Sequence, residues 1–203
     1  MQALRELFLF AFHFPPIQQS SGMHRSLAFA KYMPDSGWQA TVFSACKMAY
    51  PHWSDGNLNL IPSDVRVIRA PALDTQRHLS FFGKYPGSFA IPDRWQSWIP
   101  SGIVAGLLQL RRQRPRVLMS TYPIASAHVI ARFLHRRSGI PWIADLRDPM
   151  VFESVPSPGP VRDSYERIER SVFAEASRVV VTTQGAADLY YERYPELARA
   201  KIR

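Results

Sequence analysis

The chain has 203 residues, 46% apolar and 20% charged, which excludes a disordered protein and suits one α/β domain with a sizeable core rather than two. A single cysteine, Cys46, excludes an internal disulfide and fits a reducing compartment. The net charge of +9 admits a nucleic acid or an anionic membrane surface as partner, yet part of it is local: Arg111, Arg112 and Arg114 close one predicted helix and His135, Arg136 and Arg137 another, where cations complement the helix macrodipole whatever the function.

Residues 6–14 read as a buried first strand. A secretory leader is opposed by Glu6, by His13 and two prolines directly after the apolar run, and by the lack of a small-residue cleavage site. The run is also far below the roughly 20 apolar residues of a membrane span. A polar loop, residues 15–21, leads into a helix over 22–33 with Met23, Leu27 and Ala30 on one face and Pro34 at its stop. Strands are expected at 38–44 and 65–70, then an irregular, partly helical excursion over 71–93 carrying Phe81, Phe82, Tyr85 and Phe89. A helix over 101–113 is expected to bury Ile103, Val104, Leu107, Leu108 and Leu110. Strand 117–120 precedes a helix over 124–137 capped by Gly139, and strand 142–146 opens onto Arg147-Asp148-Pro149. After a proline-rich loop, Val161, Tyr165, Ile168 and Val172 repeat with helical spacing; strand 178–181 follows, and Thr183 caps a last helix ending near Tyr194-Pro195.

Strands separated by helices of this length predict a doubly wound, mainly parallel α/β sheet. Ligands of such sheets sit at the carboxyl ends of the strands, near the switch in strand order. Three segments fall there. Gln18, Gln19, Ser20, Ser21, Gly22 and Arg25 lie where the first loop meets a helix, whose amino end offers backbone N–H groups and a dipole to an anion. An ordinary strand–helix connection reads the same way. Tyr122 follows strand four, open to stacking on a sugar or base and equally to core packing. Asp145, Arg147 and Asp148 leave strand five together; the carboxylates can orient sugar hydroxyls or hold the loop in an ion pair. The histidines have no zinc-type spacing and there is no G-x-S-x-G elbow, so neither a metal nor that hydrolase chemistry is expected.

The string Phe12-His-Phe-Pro-Pro, the small-residue loop, Arg25, Leu27-Ala-Phe-Ala-Lys-Tyr and Gly37-Trp38 resemble the opening of family-4 glycosyltransferases. Gly139-Ile-Pro-Trp-Ile-Ala-Asp-Leu-Arg-Asp-Pro is similar to their D-[FL]-R-D-P element, and Thr182-Thr183-Gln184-Gly185 with Tyr194-Pro195 continues the likeness. The resemblance implies the N-terminal, Rossmann-like, acceptor-side half of a GT-B architecture, residues 1–203 forming one domain with the C-terminal donor-binding domain absent. It implies a retaining transferase moving a sugar from a nucleotide-sugar donor to a polysaccharide or glycolipid acceptor, with no metal or other cofactor, and inactive without its second half. A non-catalytic glycan- or protein-binding module built on the same domain is the alternative. The sequence departs from the family pattern in keeping only Gly22 in the first loop and in having Thr121 where some relatives carry histidine. Implied partners are a glycan or lipid-linked acceptor and a separately supplied C-terminal domain. The basic helix ends are expected to seat a cytoplasmic chain on the inner face of the plasma membrane, with an attraction that weakens in salt. No nucleic-acid motif accompanies the charge, so that partner is not expected.

Overall fold

The computed structural model, described over residues 4–18 and 20–202, is a six-stranded, all-parallel sheet between two layers of helix. The strands are β1 (Arg5–Phe10), β2 (Trp38–Ala45), β3 (Arg66–Ala70), β4 (Val117–Thr121), β5 (Trp142–Arg147) and β6 (Arg178–Val181), in the order β3-β2-β1-β4-β5-β6. This is the Rossmann-like, doubly wound arrangement, and its order reverses between β1 and β4. The expected fold class is therefore the one observed.

Strand periodicity divides the core. Phe8 and Phe10 of β1, Phe43 of β2, Leu118 of β4 and Ala144 and Leu146 of β5 face one helical layer. Leu7 and Leu9 of β1, Val42 of β2 and Met119 of β4 face the other. Helix α1 (Ser21–Tyr32) covers that second face with Leu27 and Ala30. The first face carries α3 (Trp98–Arg112), α4 (Ser126–Ser138) and α5 (Pro160–Glu175), reached after the one-turn helix α2 (Thr75–His78). Helices α6 (Gln184–Arg193) and α7 (Pro195–Lys201) close the β6 edge.

Two expectations are corrected. Helix α3 does not bury Val104 and Leu108, which are 55% and 52% exposed. Its inward face is Trp98, Gly102, Gly106 and Gln109, because the two glycines let Ile130 and Leu134 of α4 press against the α3 backbone. An apolar count over the helix misses this, since the closest packing is made by the residues with no side chain. Helix α6 ends at Arg193 with Tyr194 at its C-cap, where expected, but it is not the last helix. Pro195 begins α7, where a missing N–H costs nothing, and Ile202 then pairs beside Val179.

Candidate functional site

The carboxyl ends of β1, β4 and β5 meet at the strand-order switch, where sheets of this kind form their ligand crevice, and α1 begins at its rim. Ser20 stands at the N-cap position of α1, but its hydroxyl makes no cap bond; it lies 2.7 Å from His13 Nδ1. No acidic residue occupies the first turn. Gly22 is buried there, and a Cβ would lie 2.9 Å from His13 Nδ1, 3.1 Å from Arg147 Nη1 and 3.2 Å from Pro123 Cδ. The loop before it is sewn to the β2–β3 connection: Gln18 N donates to His52 O at 3.0 Å and Ile17 bridges Trp53. Gln18 is exposed, and Gln19 lies outside the described residues.

Arg147 reaches this rim from β5. The β5–β6 register shifts between Asp145 and Arg147, so that Arg147 pairs with Val181, and Arg147 has φ +59°. A left-handed arginine is costly, and it is fixed here by two bonds that its carbonyl accepts from Thr182, from N at 3.1 Å and Oγ1 at 3.0 Å. Its Nη2 donates to Ser21 Oγ at 3.3 Å, while its Nε is buried without a partner. Burial first, and the Arg147 cation second, push His13 down to about 4. His13 is therefore neutral near pH 7, and the guanidinium supplies the crevice's positive charge.

Asp145 and Arg25 are spent on each other. Asp145 is fully buried; its Oδ2 accepts from Arg25 Nε at 2.8 Å and from Thr121 Oγ1 at 2.8 Å, and its Oδ1 from Arg25 Nη2 at 2.8 Å. The pair joins α1 to β5 across the switch point. An ion pair does hold this region, but the partner of Asp145 comes from α1 rather than from its neighbour Arg147. Asp148 is exposed and makes no hydrogen bond or ion pair among the described residues.

Tyr122 is half-buried, stacked over His128 at 6.5 Å between ring centroids and edge-on to Tyr165 at 6.5 Å. Burial, with Tyr165 second, pushes its hydroxyl well above the ordinary tyrosine range. Beneath it, Trp142 Nε1 donates to Ser120 Oγ at 2.8 Å, which leaves the Ser120 proton for His128 Nδ1 at 2.7 Å. Burial lowers His128 to about 3, so it too is neutral. Tyr122 thus has one side committed to the core.

The structure brings together Ser20, Ser21, Gly22 and Arg147, pairs Arg25 with Asp145, and leaves Gln18 and Asp148 on the surface. His13 was not singled out from the sequence; its one available signal is its place just past the apolar run of the first strand. Two buried carboxylates were also missed. Asp93 caps α4, its Oδ2 accepting from Ser126 N at 2.8 Å and Oγ at 2.9 Å, because Ala125 at the N-cap cannot. Glu169 accepts from Met150 N at 2.8 Å, Tyr190 Oη at 2.9 Å and Arg193 Nη1 at 2.6 Å, pinning the segment after Asp148. Their partners are distant in sequence, so no local motif marks them. Among the described residues no group of three or more His, Cys, Asp or Glu side chains is placed to hold a metal, and no helix is long and apolar enough to cross a membrane.

A family model described as "Glycosyl transferase 4-like domain" matches residues 21–203. No curated protein matches the chain in sequence. Among solved structures, sucrose-phosphate synthase from Thermosynechococcus elongatus is similar, with a TM-score of 0.62 at 13% identity over 98% of this chain and 47% of that one. UGT2 of Phytolacca americana has a TM-score of 0.60 at 12% identity over 98% and 50%. UDP-GlcNAc 2-epimerase from Methanocaldococcus jannaschii has 0.58 at 8% over 98% and 44%. At such identities the likeness is one of fold, and the chain spans about half the length of each.

Proposed function

The chain belongs to the glycosyl transferase 4-like family, and from that premise we propose that it forms the acceptor-side wall of a sugar-transfer cleft. The facing wall, which binds the nucleotide-sugar donor, is a second domain that these residues do not supply. The reaction would be retaining transfer of the sugar to a polysaccharide or glycolipid acceptor, without a metal. The observation that carries the reading is Arg147, a cation with an unpartnered Nε, aimed at the acid-free amino end of α1 over Gly22.

That arrangement suits an anionic group. Backbone N–H groups, the helix dipole and one guanidinium converge at the first turn of α1, and Gly22 lets His13, Arg147 and Pro123 close on the helix there. In sugar transfer, negative charge grows on the departing diphosphate, and donors fixed beforehand stabilise it without reorganising. Asp148, exposed beside this rim, is the carboxylate free to accept an acceptor hydroxyl.

One observation favours a second reading, a non-catalytic glycan- or protein-binding module. Around the crevice, Asp145 and Arg25 are already paired and His13 is neutral, which leaves the exposed Asp148 as the carboxylate without a partner among the described residues. The test is transfer from a panel of radiolabelled nucleotide sugars to membrane lipid extract, by the chain alone and with a family donor-binding domain added. Turnover is expected only in the mixture, and Arg147→Ala should lower it by roughly 10²–10³-fold. Turnover by the chain alone would refute the need for the second domain. A silent mixture with retained glycan binding would favour the module.

A further inference from the structure

The most exposed aromatic residues lie outside the crevice. Phe81 and Phe82 are 78% and 91% exposed at the apex of a turn, their rings packed edge to face at 4.6 Å on each other. The turn is built, not loose. Phe81 and Lys84 exchange both backbone bonds, at 2.8 and 3.0 Å. At its base Thr75 Oγ1 donates to Phe89 O at 2.6 Å and Gln96 Nε2 to Ser88 O at 2.8 Å. Phe82 has φ +49°, where a glycine or asparagine would sit with less strain. Neither packing nor backbone geometry accounts for phenylalanine at that position.

We propose that this turn, residues 79–89, is a wedge that docks the chain on an anionic lipid bilayer. Phe81 and Phe82 enter the boundary between headgroups and acyl chains and Lys84 lies over the lipid phosphates, while Arg77, whose Nη1 donates to Met48 O and Tyr50 O, adds its charge beside them. The apex is convex, so a deformable surface accommodates it without a matching pocket. No acidic residue stands between Asp74 and Asp93, whereas Arg77 and Lys84 are exposed in that interval. The charge therefore complements phosphatidylglycerol or any other acidic headgroup.

This moves the membrane contact to the other end of the molecule. The basic ends of α3 and α4 lie at the amino edge of the sheet, where Arg114 Nη2 donates to Ser138 O. The excursion bearing the wedge leaves the carboxyl end of β3 and returns to the amino end of α4 through Asp93. Wedge and crevice thus share the carboxyl edge. Docking does not depend on the transferase reading; that the acceptor is lipid-borne, and so presented to the crevice from the membrane, rests on it.

The test is co-sedimentation with vesicles of phosphatidylethanolamine and phosphatidylglycerol, and with phosphatidylcholine alone. The chain is expected to partition onto the anionic vesicles, and the Phe81→Ser/Phe82→Ser variant about tenfold or more weaker with an unchanged melting curve. Lys84→Glu should weaken binding about tenfold, and Arg111→Glu/Arg114→Glu/Arg137→Glu by less than about threefold. The proposal is overturned by a chain that stays in solution with both vesicle types, by a double serine variant that binds as the parent does, or by loss that follows the three arginines instead. Self-association abolished by the serine variant, without vesicle binding, would give the wedge to a second copy and equally overturn it.

Discussion

The Arg25–Asp145 pair decides whether the Asp-Leu-Arg-Asp element is first a fastening or first a ligand contact. Asp145 has no exposed surface, and all three of its described side-chain bonds come from Arg25 and Thr121, whereas the Arg25 side chain is 30% exposed. In Asp145→Asn the charge vanishes and an NH2 must face a guanidinium or a hydroxyl, but Arg25 can turn to water. Losing two charge-assisted bonds at about 1.5–3 kcal/mol each, less what solvent returns to Arg25, gives about 3 kcal/mol. Arg25→Met is worse, about 3–5 kcal/mol, because the abandoned carboxylate is fully buried and cannot move. The double variant Arg25→Met/Asp145→Leu removes both charges and should cost less than the sum of the single changes by about 2–3 kcal/mol. Urea unfolding of the four proteins measures the cycle, and Asp145→Asn alone should lower Tm by roughly 6–12 °C. A coupling below about 0.5 kcal/mol, or an Asp145→Asn chain of parental stability with altered acceptor binding, would refute the fastening and return Asp145 to the site.

Acid should destabilise the fold before its carboxylates titrate. His13 and His128 have folded values of about 4 and about 3 against 6.5 when unfolded, so below pH 6.5 the unfolded chain takes up protons first and stability falls as pH falls. By pH 5 the two together should cost about 3–4 kcal/mol at 1.36 kcal/mol per unit, with His128→Gln flattening about half of it; equal urea midpoints at pH 7.5 and 5 would refute this. Gly102→Ala places a methyl 2.6 Å from the buried Ile130 Cδ1. Overpacking of about 1–3 kcal/mol should outweigh the roughly 1 kcal/mol gain in helix propensity and lower Tm by a few degrees, whereas a raised Tm would show that α3 and α4 can part.

The fold was legible because it is written in local patterns. Apolar runs at β1, β4 and β5 and helical spacing in α5 do not depend on distant partners, and Gly139 caps α4 with φ +70° where expected. The α3 face was not, because its closest contacts are made by Gly102 and Gly106 and depend on α4. At the site, residue types were legible and pairings were not. Asp145 and Arg25 are 120 positions apart, and Asp93 and Ser126 are 33 apart. Only the switch in strand order brings α1 over β5, so a sequence read along the chain pairs Asp145 with the arginine two residues on.

On the proposed reading, that pairing pattern is what leaves Arg147 available among the described residues. Of the charged groups near the crevice, Arg25 is neutralised by Asp145 and His13 is kept uncharged by burial and by Arg147 itself. Arg193, further along, is bound to Glu169. The amino end of α4 is filled by Asp93, so an anion arriving at the switch point finds the amino end of α1 rather than that of α4. The buried carboxylates therefore do more than hold the fold. By answering the other donors they leave, on the proposed reading, Arg147 and the first turn of α1 as the place for an incoming negative charge, with Arg147 held there in a left-handed conformation.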